Sequence, residues 1–281
     1  MVEKRSWLTV LTHVILILGV IMMFFPIYLV FVASTHTLAD ILDAPMPLLP
    51  GSHLWENYSR AFTEGSKSLG ASVSVMLINS LIMATGIAVG KIVISLLAAY
   101  AFVFFRFRFR SLFFWTVFIT LMLPVEVRIL PTYKVIADLH LLNSYTGLIL
   151  PLIASATATF FFRQYFLSIP SEIVEAARVD GAGPMRFLFD ILIPMSRTSI
   201  AAMFVILFIY GWNQYLWPLL ITTEERYYTL LIGINRMLAV GDQQAEWQLI
   251  MATTLLAMAP PVFVVIGMQS LFIRGMTESE K

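Results

Sequence analysis

Long apolar runs alternate with short polar intervals along the whole chain. The runs cover residues 7–33, 73–105, 112–130, 145–162, 200–221 and 249–272. A helix of about 20 apolar residues spans the hydrocarbon of a bilayer, so each run predicts a membrane-crossing helix. The second run is longer than that and predicts a helix that tilts or projects beyond the membrane. Its Gly86 and Gly90 form a small-xxx-small pair suited to close helix packing. The first run begins like a secretory leader, but it is too long and has no small-x-small cleavage site ahead of a soluble domain, so it is expected to be retained. The pattern predicts an all-α polytopic membrane protein with six transmembrane helices. It divides into a first helix and external loop (1–72), a core (73–273) with a charged loop at 170–194, and a short tail (274–281).

Charge orients these spans. Arg106, Arg108 and Arg110 follow the second run, and Arg163 and Arg197 bracket the interval after the fourth. With six spans these share a side with Lys4, Arg5 and Arg274, while the acid-rich intervals lie opposite. The bias of basic residues toward the cytoplasm then puts both termini inside.

Composition narrows the function. Of 281 residues, 59% are hydrophobic and 12% charged, with net charge +1 and mean hydropathy +0.85. A soluble domain is nearer a quarter charged. The near-neutral balance gives no bulk field for nucleic acid. There is no cysteine, hence no thiolate chemistry, and the four histidines are scattered without ligand spacing. No metal site and no catalytic residue is expected. Gly86 to Lys91 falls one residue short of a phosphate loop and has Ile92 where Ser or Thr is needed, so no ATP site is expected on this chain.

The longest mixed-charge stretch runs from Ile169 to Pro194. Pro170 stops what precedes it, Ser171 can cap a helix, and Glu172 suits the first turn. Ile173, Val174 and Ala177 share one side at helical spacing, and Glu175 can pair with Arg178. Asp180-Gly181 ends the helix, and Pro184 opens a second one reaching about Ile193 before Pro194. On these residues alone an ordinary amphipathic cytoplasmic loop is as good a reading as any.

The order of residues adds more. Glu175-Ala176-Ala177, Gly181 after three further residues, and Ile191-x-Ile193-Pro194 after nine more resemble the signature of permease subunits of ATP-binding-cassette importers. The one departure is Ile193, where that family often has Leu. The resemblance continues in Met122-Leu123-Pro124, Leu141-Leu142-Asn143-Ser144-Tyr145, Phe162-Arg163-Gln164 and Trp212-Asn213-Gln214-Tyr215-Leu216-Trp217-Pro218-Leu219, which look like the carbohydrate-uptake branch that holds the maltose permease pair. The run from Thr120 to Arg128, the run from Ser155 to Phe160, Ile209-Tyr210-Gly211-Trp212 and Glu278-Ser279-Glu280-Lys281 are closer still to permeases of sn-glycerol-3-phosphate importers.

The resemblance implies the type I ABC importer transmembrane fold in a bacterial inner membrane. It implies a second permease subunit paired as a heterodimer, two cytoplasmic ATPase subunits that bind the ATP, and a periplasmic substrate-binding protein probed by the loop at 222–248. It also implies that the charged loop is a coupling helix docking on an ATPase, with Glu175, Ala176, Ala177, Asp180, Gly181, Ala182, Ile191 and Pro194 in that role. The substrate it implies is sn-glycerol-3-phosphate, with glycerophosphodiesters or a neutral sugar as alternatives.

Polar groups within spans are costly in hydrocarbon and should face protein or a watery path. Asn79, Asn213 and Gln214 are candidates to line the substrate path; for Asn213 and Gln214 interhelical hydrogen bonding is the competing role. Lys91 reads as a structural pair or a snorkelling side chain. Arg128, between Pro124 and Pro131, is a candidate contact for a phosphorylated substrate; the competing role is snorkelling or pairing with Glu126. A secondary transporter would need acids at the centres of spans, and a membrane enzyme a cluster of nucleophiles or metal ligands; neither pattern is present.

Overall fold

A computed structural model of the chain describes residues 6–65, 70–120, 125–239 and 244–278. Met122-Leu123-Pro124 and the side chain of Glu126 lie outside the described residues. In chain order the helices are α1 (Ser6–Ser34), α2 (Leu38–Leu42), α3 (Leu54–Thr63), α4 (Val73–Phe104), α5 (Arg110–Ile119), α6 (Val125–Asp138), α7 (Tyr145–Ile149), α8 (Ala156–Leu167), α9 (Ser171–Val179), α10 (Pro184–Arg186), α11 (Ile193–Met195), α12 (Arg197–Trp212), α13 (Leu216–Ile221), α14 (Leu230–Leu238) and α15 (Trp247–Glu278). No strand occurs among the described residues.

Three stretches are long and apolar enough to cross a membrane as single helices: Thr9–Ser34, Val73–Phe104 and Trp247–Leu271. Two further helix pairs are apolar enough together but bent, Tyr145–Leu152 with Ala156–Leu167 at 52° and Pro184–Met195 with Arg197–Trp212 at 73°. The expected fourth span is therefore broken. Pro151 lies in the short 3-10 turn after α7, and Ser155 restarts the helix by accepting from the Ala158 N–H at 3.2 Å. The expected third span is divided between α5 and α6. Here the helix continues past Leu130, through Pro131, to Asp138, where the sequence suggests a polar connection.

The chain divides into two units. One comprises residues 1–74 and 233–258. Most of α1 presents apolar side chains outward along its length, as a lipid-facing helix does. Its C-terminal turn is a polar node. The Asn57 side-chain amide on α3 donates to the carbonyls of Ser34 and His36, each at 2.9 Å, and the Gly51 N–H donates to Thr35 Oγ1 at 2.7 Å. Arg60 on α3 pairs with Glu246 just ahead of α15. The interval read as a plain loop thus holds two helices, and α2 begins with a Thr37/Asp40 capping box.

The other unit comprises residues 75–232 and 259–281. Met83, Ile87, Ile129, Ile136, Leu148, Trp217 and Ile221 form its apolar cluster. The Trp217 indole N–H donates to the Gly147 carbonyl at 3.1 Å, giving the buried ring the partner it needs. Gly86 and Gly90 pack as their spacing suggests: Ile149 and Ile153 occupy the space a Cβ would take at each.

Candidate functional site

The loop at 170–194 folds as a helix, a glycine turn and a second helix. Pro170, not Ser171, occupies the cap position of α9, and Ser171 is its first residue. Ile173 and Val174 are partly covered and Ala177 is 5% exposed, while Glu175, Ala176 and Asp180 are exposed. The amphipathic reading therefore holds, and it separates the two alanines: Ala176 faces outward and Ala177 into the fold. The helix ends in a Schellman motif. The Ala182 N–H donates to the Ala177 carbonyl at 2.9 Å and the Gly181 N–H to the Arg178 carbonyl at 3.0 Å, with Gly181 at φ +73°. Within this loop the ion pair is Arg186–Asp190 at 3.5 Å, rather than Glu175–Arg178.

The second helix does not stop at Pro194. Residues Phe187–Leu192 form π turns, and the helix runs on to Met195 before the 73° bend at Ser196. Proline lacks an N–H and crowds the carbonyl four residues back; the wider π turn preceding it relieves both. Ile191 is partly covered and Pro194 exposed.

This helix pair is seated on the end of α4. The Tyr100 hydroxyl donates to the Pro184 carbonyl at 2.8 Å. Phe104 meets Phe187 edge-on, with centroids 5.4 Å apart, and Tyr100 meets Phe105 at 5.2 Å. Val174, Ala177 and Ala182 complete the groove those rings line. The sequence does not single out Tyr100, Phe104 and Phe187, because three aromatics in greasy runs look like ordinary span residues until the fold brings them together.

A second region is lined by residues of α4, α6, α8 and α12. Lys91 and Arg128 both line two adjoining cavities there, together with Ala154 and Tyr210. Lys91 is 6% exposed, with Nζ 3.7 Å from the centre of the Tyr210 ring. It neither snorkels nor joins a carboxylate: among the described residues no Asp or Glu pairs with Lys91 or Arg128. Gln214 lines one cavity and donates to the Tyr210 carbonyl at 3.1 Å. Asn213 is exposed and ends α12 as its C-cap.

Asn79 is elsewhere. It is 1% exposed; its amide donates to the Arg226 and Tyr228 carbonyls at 2.8 and 2.9 Å, and its carbonyl oxygen accepts from the Tyr145 hydroxyl at 2.7 Å. With its amide hydrogens and its oxygen engaged, it fastens the segment after α13 to α4 and α7. Among the described residues no group of three or more His, Asp or Glu is placed to hold a metal.

Comparison with known proteins accounts for this arrangement. Residues 91–278 match the family described as "Binding-protein-dependent transport system inner membrane component". The chain belongs to that family. Two curated relatives, from Agrobacterium fabrum (strain C58) and Rhizobium meliloti (strain 1021), are each 57% identical over 282 residues, covering 100% of both chains; each is named sn-glycerol-3-phosphate transport system permease protein UgpE. In structure the chain is similar to a crystal structure of a bacterial ABC transporter involved in the import of the acidic polysaccharide alginate. The TM-score is 0.83 at 20% identity, over 97% of this chain and 99% of that one. That likeness shows the type I importer fold. The chain is an inner-membrane component of a binding-protein-dependent transport system, and its partners are the other parts of such a system.

Proposed function

We propose that this chain is one of two permease subunits of an ATP-driven importer of sn-glycerol-3-phosphate. Its partners are a second permease (UgpA-like), two cytoplasmic ATPase subunits that bind and hydrolyse the ATP (UgpC-like), and a periplasmic binding protein that delivers substrate (UgpB-like). The substrate reading is carried by the full-length identity of 57% to curated permeases of that name.

The coupling reading rests on the helix pair at 170–194. Glu175, Ala176, Asp180 and Gly181 form its outward face, offered to an ATPase. Ala177 and Ala182 form its inward face, seated on α4 with Ile191 and Pro194 following on the second helix. A displacement of the outward face is therefore passed to α4 through packed aromatics, not through a loose loop. The orientation puts the arginine-flanked loops and both termini in the cytoplasm.

The test is transport by the complex in proteoliposomes. ATP is enclosed on the ATPase side, and binding protein and radiolabelled sn-glycerol-3-phosphate are supplied on the other. Uptake that requires both ATP and the binding protein supports the reading. Uptake of a neutral disaccharide in preference to the phosphate ester, or uptake without ATP, overturns it.

A further inference from the structure

We propose that Lys91, Arg128 and the N-terminus of α8 form a binding site for the phosphoryl group of the transported ester. This rests on the reading above that a phosphate monoester crosses here, and it adds the site and the residues.

Three observations converge on it. First, two cations from different helices line the same pair of cavities, and among the described residues neither has a carboxylate partner. Arg128 is exposed, but Lys91 is buried, and a buried charge is costly and is kept only where something offsets the cost. Second, Lys91 is almost wholly buried, and its Nζ lies over the Tyr210 ring, which orients it without supplying a carboxylate. Third, the break after α7 sets the start of α8 at the same place: Ser155, Ala156 and Thr157 line the cavity with Lys91 and Arg128. Ser155 caps the Ala158 amide, and the Thr159 N–H takes the Ser155 carbonyl. The amides of Ala156 and Thr157, in the first turn, have no acceptor within the helix, and the helix dipole there favours an anion.

The chemistry matches one class of ligand. A phosphate monoester carries about −1.5 to −2 charges at neutral pH and offers three acceptor oxygens. Two cations and a helix N-terminus answer both features: Arg128 supplies the forked donor, Lys91 a compact charge, and the amides the remaining donors. A neutral sugar has no use for two uncompensated cations.

The experiment measures uptake by the reconstituted complex carrying Lys91→Met, Lys91→Arg, Arg128→Gln or no substitution. The probes are sn-glycerol-3-phosphate and glycerophosphocholine, a diester with one negative charge on phosphorus. ATP turnover stimulated by loaded binding protein is recorded beside it. Lys91→Met and Arg128→Gln should each lower monoester uptake roughly tenfold, diester uptake clearly less, and leave stimulated ATP turnover in place, while Lys91→Arg retains most monoester uptake. Equal uptake of both esters by variant and unmodified complexes overturns the site while leaving the importer reading standing. Failure of the unmodified complex to transport the monoester overturns both. Vesicles with and without phosphatidylglycerol separate a lipid headgroup from the substrate: if the effect of Lys91→Met appears only with the anionic lipid, the site holds lipid phosphate and the proposal falls.

Discussion

The Tyr100 hydroxyl donates to the Pro184 carbonyl across 2.8 Å, joining the end of α4 to the first residue of the second loop helix. A proline carbonyl at a helix start is an ordinary acceptor; what matters is that the donor belongs to a span. The bond and the Phe104–Phe187 contact tie the loop to α4. Tyr100→Phe removes the bond alone, worth about 1 kcal/mol, and should lower uptake severalfold with normal amounts of protein in the membrane. Ala177→Asp places a carboxylate among Tyr100, Phe104 and Phe105 and should abolish uptake. Normal transport by both variants would show that α4 is not moved through this groove.

Gly181 makes a separable demand. At φ +73° an L side chain is strained, yet a Cβ there would meet nothing within 4 Å. The cost within this chain is therefore backbone strain, roughly 1–2 kcal/mol. Gly181→Asn, which tolerates this conformation, should keep most activity; Gly181→Val, β-branched, should lose uptake and substrate-stimulated ATP hydrolysis together. Equal loss in both would point to steric exclusion at the ATPase surface in place of strain, and equal retention would remove Gly181 from the coupling role.

What can be read from the sequence is what depends on neighbours along the chain. The Asp180-Gly181 stop, the amphipathic side of α9 and the long apolar runs that fold as α1, α4 and α15 are local, and each is found where its residues indicate. Lys91 reads locally as snorkelling or paired, and it is neither, because its surroundings are supplied by Tyr210 on α12 and Arg128 on α6, which no local pattern connects to it. The partners of Asn79 are illegible for the same reason: its acceptors are the backbone carbonyls of Arg226 and Tyr228, and backbone carbonyls carry no sequence signal. Helix α14 is hidden in an interval whose charges suggest a loop, although Leu230, Ile232 and Met237 are buried. The Thr37-x-x-Asp40 box is legible and is enough to find α2.

Topology gives a third prediction. The arginine asymmetry predicts that the loops after α4 and α8 face the cytoplasm. Reporter fusions at Phe109 and Gly183 should be active as cytoplasmic enzymes, and fusions at Gly65 and Thr223 as periplasmic ones. A cytoplasmic result at Thr223 would overturn the arrangement of the last two spans and, with it, any contact of residues 222–239 with a periplasmic binding protein.

Asn79 offers the fourth. If it lined the substrate path, replacing it would change the apparent affinity for substrate and leave the fold alone. Its hydrogen bonds say otherwise. Asn79→Leu keeps the branched shape but removes the Asn79 hydrogen bonds to the Arg226 and Tyr228 carbonyls and to the Tyr145 hydroxyl. A buried polar group so deprived costs about 1–3 kcal/mol. Tyr145 also meets Tyr227 edge-on at 5.4 Å, and Ser80, the next residue, accepts from the Leu230 N–H at 2.9 Å, so the whole segment from Arg226 to Leu230 is held by the same turn of α4. The purified complex should therefore melt several degrees lower, and stimulation of ATP hydrolysis by the binding protein should weaken while unstimulated hydrolysis persists. Asn79→Asp retains an acceptor for Tyr145 but has no donors for the carbonyls, so it should not rescue. A raised KM for substrate with an unchanged melting temperature would return Asn79 to the path; a lowered melting temperature with unchanged KM fixes it as the fastener of this segment.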